Sequence, residues 1–275
     1  MMINPDDIAR LLEEDVGTGD LTALIVPAET IATAEVLTRE TMVMCGQAWF
    51  DAVFEHLDPT VRTQWAVREG TTVAPNTLLA SLEGPARSLL TGERTALNLL
   101  QTLAATATLA RRFADAVKDT AIQVLDTRKT IPGLRKAQKY AVRCGGCQNH
   151  RMGLYDGILI KENHILAAGS IALAVAHARS LGADIPIEVE VETFTELRQA
   201  LEAGAERILL DNFSLDQIRE AVTITAGRAK LEVSGNADLE FVKTIASTGV
   251  DYVSVGALTK NIAAIDLSMR ITLLR

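Results

Sequence analysis

From about residue 121 onward, the apolar positions cluster into six short runs: 122–126, 157–161, 187–192, 207–211, 230–234 and 252–256. Runs this short, bounded by turn residues, read as buried strands. The intervening stretches 170–181, 195–203, 215–226 and 238–248 carry helical periodicity. Ser214 and Thr195 read as helix N-caps, and Gly182, Gly204 and Gly249 as stop signals. A strand recurring about every 20 to 25 residues implies βα units, hence a parallel sheet with right-handed crossovers. Six strands fall short of the eight of a complete barrel, so an open, incomplete α/β barrel fits as well as a closed one. An open doubly wound sheet is the alternative, but no GxGxxG follows the first strand.

The first 115 residues read differently. The pattern predicts a helix over 5–15, a turn at GTGDLT and a strand over 32–39. Turns follow at Glu69-Gly70 and Pro75-Asn76. Leu89, Leu90, Leu97, Leu100 and Leu103 then recur at helical spacing within 86–117, as one long helix or two. The division expected is an α+β domain over 1–115 and a barrel-like domain over 116–261, with the tail 262–275 packed on the first.

At 275 residues, 48% hydrophobic and 23% charged, the chain has an ordinary globular composition. A net charge of −8 argues against general nucleic-acid binding. No run reaches the roughly 18 apolar residues that span a bilayer. The acidic N-terminus lacks a signal peptide's basic-then-apolar order. Three cysteines fit a reducing compartment, so a cytoplasmic protein is expected.

One stretch departs from this acidic background. Between Arg128 and His164 stand eight Lys/Arg (Arg128, Lys129, Arg135, Lys136, Lys139, Arg143, Arg151, Lys161) against two acids. A cationic zone on an anionic body suits a pocket for polyanionic small molecules. Arg135, Lys136, Lys139 and Arg143 fall on a helix-like segment, where field shaping or surface pairing is expected.

Ligands of parallel βα folds sit at the carboxyl ends of the strands. Those ends here are Asp126-Thr127-Arg128-Lys129, Lys161-Glu162-Asn163-His164, Asp211-Asn212, Ser234-Gly235-Asn236 and Gly256-Ala257. In Glu188-Val-Glu190-Val-Glu192 the three glutamates share one strand face. Pointing inward they need cations. Lys129, Lys161 and Arg151 could supply these, or magnesium, which takes one or two carboxylates together with substrate phosphates. A structural ion-pair network is the competing reading. The glycine-containing loops at 234–236 and 254–257 read as a phosphate site when taken together. Cys144-Gly-Gly-Cys147 with His150 offers at most three local metal ligands, and there is no second CxxC. His150-Arg151 reads better as a donor pair for an anionic substrate. Arg94 alone would be a solvated helix charge.

In order and spacing, the strings DTRKTIPGLR (126–135), NHR (149–151), LIKENH (159–164), EVEVE (188–192), LDNF (210–213) and SVGALT (254–259) resemble quinolinate phosphoribosyltransferase. The likeness runs from GTGDLT (17–22) to DLSM (266–269). It implies an N-terminal α+β sandwich-like domain followed by an incomplete, open parallel α/β barrel. It also implies a homodimer or a higher assembly, and the magnesium-dependent conversion of quinolinate and phosphoribosyl pyrophosphate to nicotinate mononucleotide, pyrophosphate and CO2. By position, Arg128, His150 and Arg151 would meet the quinolinate carboxylates, with Thr127 and Lys129 close by. Arg94 would reach a neighbouring subunit's site. Lys129, Lys161, Glu190 and Asp211 would do the chemistry around ribose, pyrophosphate and metal. Ser234, Gly235, Asn236, Gly256 and Ala257 would hold the 5′-phosphate. Thr193 and Asn236 are modest departures from the family pattern. A metal-dependent barrel lyase or isomerase would need the phosphate loops but not the Arg128, His150 and Arg151 set. A non-catalytic paralogue would have lost site residues, and none is missing.

Overall fold

The computed structural model describes residues 3–182, 185–235 and 238–274. The chain divides into two compact units, 1–109 with 262–275, and 110–261. The elements in chain order begin with α1 (Pro5–Val16), β1 (Ile31–Thr38), β2 (Met42–Val43), α2 (Gln47–Leu57), β3 (Arg62–Trp65), β4 (Thr72–Val73), β5 (Leu78–Pro85) and α3 (Ala86–Val117). There follow β6 (Gln123–Leu125), α4 (Arg135–Cys144), β7 (Ile158–Ile160), α5 (Glu162–Ala168), α6 (Ile171–Ser180), β8 (Ile187–Val191), α7 (Phe194–Glu202) and β9 (Arg207–Asp211). The last are α8 (Leu215–Thr225), β10 (Lys230–Ser234), α9 (Leu239–Ile245), β11 (Tyr252–Ser254), α10 (Ala257–Lys260) and β12 (Leu267–Leu273).

The first unit is built on an antiparallel sheet ordered β12-β1-β5-β3. Alternation along β1 buries Ala32, Ala34, Val36 and Thr38 on one face. The tail strand β12 pairs with β1 from Ala32 opposite Leu273 to Thr38 opposite Leu267. Residues 86–117 form one helix, not two. Glu69-Gly70 and Pro75-Asn76 are turns in which Gly70 (φ 78°) and Asn76 (φ 64°) adopt the left-handed conformation that reverses the chain.

The second unit carries a parallel sheet ordered β6-β11-β10-β9-β8-β7, an open arrangement rather than a closed barrel. Next to β6, Leu125 bridges in parallel to Gln148, so the segment around 148 extends that edge. The six strands lie where the apolar runs are, but four are shorter, ending at Leu125, Ile160, Val191 and Ser254. Polar residues following those four positions belong to the loops that line the carboxyl-terminal edge. Helix α7 starts one turn position earlier than its pattern suggests. Its cap is Thr193, not Thr195, because Thr193 and Glu196 satisfy each other's backbone N–H groups in a capping box. Ser214 does cap α8, its hydroxyl accepting from the Gln217 N–H. Among the described residues, no helix is long and apolar enough to cross a membrane.

Candidate active site

Register fixes what points into the second unit's interior. Glu190 lies opposite Leu209, and Leu209 opposite Glu232, while Asp211 lies opposite Ser234. Side chains on neighbouring strands at paired positions share a face, and every second residue repeats it. Glu188 and Glu190, Arg207, Leu209 and Asp211, Glu232 and Ser234, and Tyr252 and Ser254 therefore share one face. Side-chain contacts sort its polar groups into an upper tier around Lys161, Glu190 and Asp211 and a lower one around His150, Glu188, Glu232 and Arg207. Asp211 and Ser234 end their strands in the upper tier. Arg207 begins its strand in the lower.

In the upper tier, Lys161, just past β7, pairs directly with Glu190. The lysine side chain keeps 45% of its exposure and Glu190 14%, so the pair faces open space. Burial raises the Asp211 carboxyl above the ordinary range and nearby Glu190 adds to this, while Lys161 and Lys129 work the other way. Two carboxylates and two ammonium groups thus act on one another at the strand ends. Asn212, in the left-handed conformation (φ 57°), donates its side-chain amide to Asp211 at 2.8 Å and holds that carboxylate in place. Lys129 is fixed through its backbone: its N–H donates to the Thr127 hydroxyl, and the Thr259 hydroxyl donates to its carbonyl. Gly256 lets it pass, since a Cβ there would sit 3.1 Å from Lys129 Cδ. Ala257 opens the helical turn after it. Gly235 (φ 142°) follows Ser234 with a backbone that favours glycine. Asn236 lies outside the described residues.

The cationic segment after β6 is built on a buried ion pair. Lys139 and Asp126 touch, each with a fully buried side chain. Lys139 is thus no surface or field-shaping charge, as its place on a helix suggested. Helix α4 turns it inward onto the strand-end carboxylate. Burial pushes the Asp126 carboxyl up and the Lys139 ammonium down, and their direct pairing offsets both shifts. Asp126 also accepts from the His150 N–H at 2.9 Å and the Asn149 side chain at 2.6 Å, and Lys139 donates to the His150 carbonyl at 2.9 Å. The segment 149–151 is therefore pinned at its backbone. Arg151 is partly buried and donates to the Gly157 carbonyl at 3.0 Å. Burial lowers its pKa first, and repulsion by Arg128 lowers it further. Two guanidinium groups within range of each other's field await an anion.

The lower tier is drier. His150 Nε2 lies 2.8 Å from Glu188 and 3.6 Å from Glu232, and Arg207 reaches Glu232 at 3.4 Å. The Arg207 guanidinium also stacks 4.2 Å over the Tyr252 ring. A cavity of about 350 Å³, lined by His150, Arg151, Asp156, Glu188 and Arg207 among others, opens on this tier. Glu188 points inward as expected, and of the cations expected to meet it Arg151 does, joined by Arg207. Glu192 does not share that interior: β8 stops at Val191, and Glu192 is exposed beside the α7 cap. Glu232 was missed in the sequence, although it shares Ser234's face by simple alternation along β10. Cys147 is buried, donates to the Ala110 carbonyl, and has its thiol pushed up to about 12, which suits neither redox nor metal chemistry. Arg94 stands exposed on α3 in the first unit.

Residues 20–104 match the N-terminal domain, and residues 106–270 the C-terminal domain, of quinolinate phosphoribosyl transferase. The chain belongs to that family. It is 43% identical over 261 residues to a probable nicotinate-nucleotide pyrophosphorylase [carboxylating] of Bacillus subtilis, covering 94% of this chain and 90% of that one. A Mycobacterium leprae protein named nicotinate-nucleotide pyrophosphorylase [carboxylating] is 41% identical, covering 96% and 95%. Among solved structures, the nicotinate-nucleotide pyrophosphorylase of Francisella tularensis superposes with a TM-score of 0.94 at 46% identity, covering 98% of each chain. The chain thus shares the fold of that structure, with one unit on an antiparallel sheet and one on an open parallel sheet.

Proposed function

We propose that this chain is a decarboxylating phosphoribosyltransferase that converts quinolinate and phosphoribosyl pyrophosphate to nicotinate mononucleotide, pyrophosphate and CO2, a step of NAD biosynthesis. The observation that carries the reading is the half-buried Arg151 guanidinium, held by the Gly157 carbonyl at 3.0 Å, with exposed Arg128 close enough to repel it, in a chain of net charge −8. Such a pair suits a substrate with two adjacent carboxylates. Arg128 and Arg151 take those carboxylates, with His150 and Thr127 beside them. The ring nitrogen attacks the ribose C1 as the bond to pyrophosphate breaks. Glu190 and Asp211 stabilise the positive charge that develops on the ribose, and Lys129 and Lys161 receive the leaving phosphates. Lys161 is held ready by Glu190 until the more highly charged pyrophosphate competes for it. The bond from ring C2 to its carboxylate then breaks, CO2 leaves, and the electron pair left beside the cationic nitrogen takes up a proton. Ser234, Gly235, Gly256 and Ala257 present backbone and hydroxyl donors to the 5′-phosphate.

Magnesium fits the donor set. Glu190 and Asp211 offer hard oxygens at one edge of an open tier, a number suited to an ion that also keeps waters and substrate phosphates. When bound there it would neutralise phosphate charge. We further propose a homodimer in the cytoplasm, in which Arg94 serves a neighbouring subunit's site. Purified protein given magnesium, phosphoribosyl pyrophosphate and quinolinate is expected to release CO2 and form a product with the mass of nicotinate mononucleotide. Inert quinolinate with turnover of nicotinic acid would overturn the assignment. Mixing Arg94→Ala with Arg151→Ala subunits should restore activity if sites are shared, and silence would refute the sharing.

A further inference from the structure

The mechanism does not use the cluster beneath His150, made of buried Glu188 and Glu232 and half-buried Arg207. His150 is fixed by both ring nitrogens. Nδ1 accepts the Arg151 backbone N–H at 2.8 Å, so that nitrogen carries no proton. Nε2 lies 2.8 Å from a Glu188 oxygen and must be the donor. The result is a neutral ring with its proton on Nε2. Burial agrees with this, since it lowers the ring's tendency to take a second proton.

Glu188 is in turn held from behind. Among the described residues, its other oxygen, and one oxygen of fully buried Glu232, have no N–H or hydroxyl partner. One oxygen of each, with His150 Nε2, falls within 4.8 Å of the others. A proton on Glu232 would turn this contact of two carboxyl groups into an O–H···O bond, and burial with Glu188 alongside pushes Glu232 up to about 8. Arg207 reaches Glu232 at 3.4 Å. Arg207 and that proton together balance the two carboxyl groups, so the cluster is satisfied without a further cation.

We propose that Glu188, backed by Glu232 and Arg207, is a positioning residue that locks His150 in its Nε2–H tautomer and thereby orients the Arg151 backbone toward the dicarboxylate substrate. The identity of that substrate rests on the function proposed above, but the lock itself does not. Each of the three precedes an upper-tier residue on its own strand, Glu188 before Glu190, Arg207 before Asp211 and Glu232 before Ser234. They therefore brace the carboxylate-binding arm from the side away from the strand ends where the phosphoribosyl group is placed. Loosening the lock should therefore weaken one substrate and spare the other.

The test has two readouts. Histidine 15N chemical shifts of the ligand-free wild type, with the His150 signals assigned by their loss in His150→Asn, should show one protonated and one bare ring nitrogen at neutral pH. The bare one should be Nδ1. Glu188→Leu, which removes the acceptor at similar volume, should abolish that pattern and raise the quinolinate KM about tenfold, while the KM for phosphoribosyl pyrophosphate stays within about twofold. Glu188→Gln keeps an acceptor oxygen and should restore both. A cationic or Nδ1–H ring in the wild type would overturn the proposal, as would Glu188→Leu raising both KM values equally. If Glu188→Leu does not fold, the wild-type tautomer and Glu188→Gln still decide. If quinolinate is not turned over at all, the function falls while the tautomer measurement stands.

Discussion

Two lysine–carboxylate pairs in the second unit use the same chemistry for opposite purposes. Lys139–Asp126 has both side chains fully buried, whereas Lys161–Glu190 leaves the lysine 45% and the glutamate 14% exposed. Asp126 also accepts from His150 and Asn149, so the first pair is closed by hydrogen bonds on every side. The second stands at an open edge where a phosphate can displace one partner. Burial with full satisfaction makes an ion pair a strut, and partial exposure leaves it free for reaction.

Breaking the strut should have the largest effect. Lys139→Met leaves Asp126 buried and unpaired and should cost about 3–5 kcal/mol of stability, seen as a lower thermal midpoint. Replacing both partners with apolar residues should recover part of that loss. A melt within about 1 kcal/mol of wild type would mean the pair is not structural.

Lys161→Ala should show the reverse. Stability should change by less than about 1 kcal/mol. Turnover should fall by about 10²–10³, the usual cost of removing one preorganised charge from a transition state. Equal losses in stability and turnover would erase the distinction between the two pairs.

A subtler contrast separates the lower tier from both. Glu232 has its folded value raised to about 8 from the ordinary 4.5. Between those two values the folded state holds a proton that the unfolded chain has lost, so stability falls as pH rises through that window. Above about pH 8 both states are ionised and this contribution is flat. Glu232→Gln should remove that slope relative to wild type in denaturant titrations run from acid to mild alkali. An unchanged slope would place the titration elsewhere. The smallest effect belongs to the α7 cap: Thr193→Ala should cost about 1 kcal/mol and leave turnover alone.

Much of the second unit was legible because buried parallel strands are short apolar runs with capping residues between them. The strand ends named the upper tier, Lys129, Lys161, Glu190 and Asp211, since ligand sites in such folds follow strand direction. Alternation placed Glu188 and Glu190 inward but carried Glu192 too far, because the strand ends one residue sooner and its Thr193 cap starts a helix. The same alternation would have found Glu232 from Ser234. Nothing local marks Lys139 as buried: its helix is strongly basic, and the partner that neutralises it lies 13 residues back.

The sequence by itself determined the order of the six parallel strands and the residues that crowd their ends. Those follow from periodicity, capping and alternation, which act over a few residues, and the sequence motifs carried the resemblance to the family. Only the tertiary structure decided which charges are struts and which are free to react. The cost of burying an ion depends on whether a distant partner meets it in the folded chain, and that separates Lys139 from Lys161 and ties His150 to Glu188.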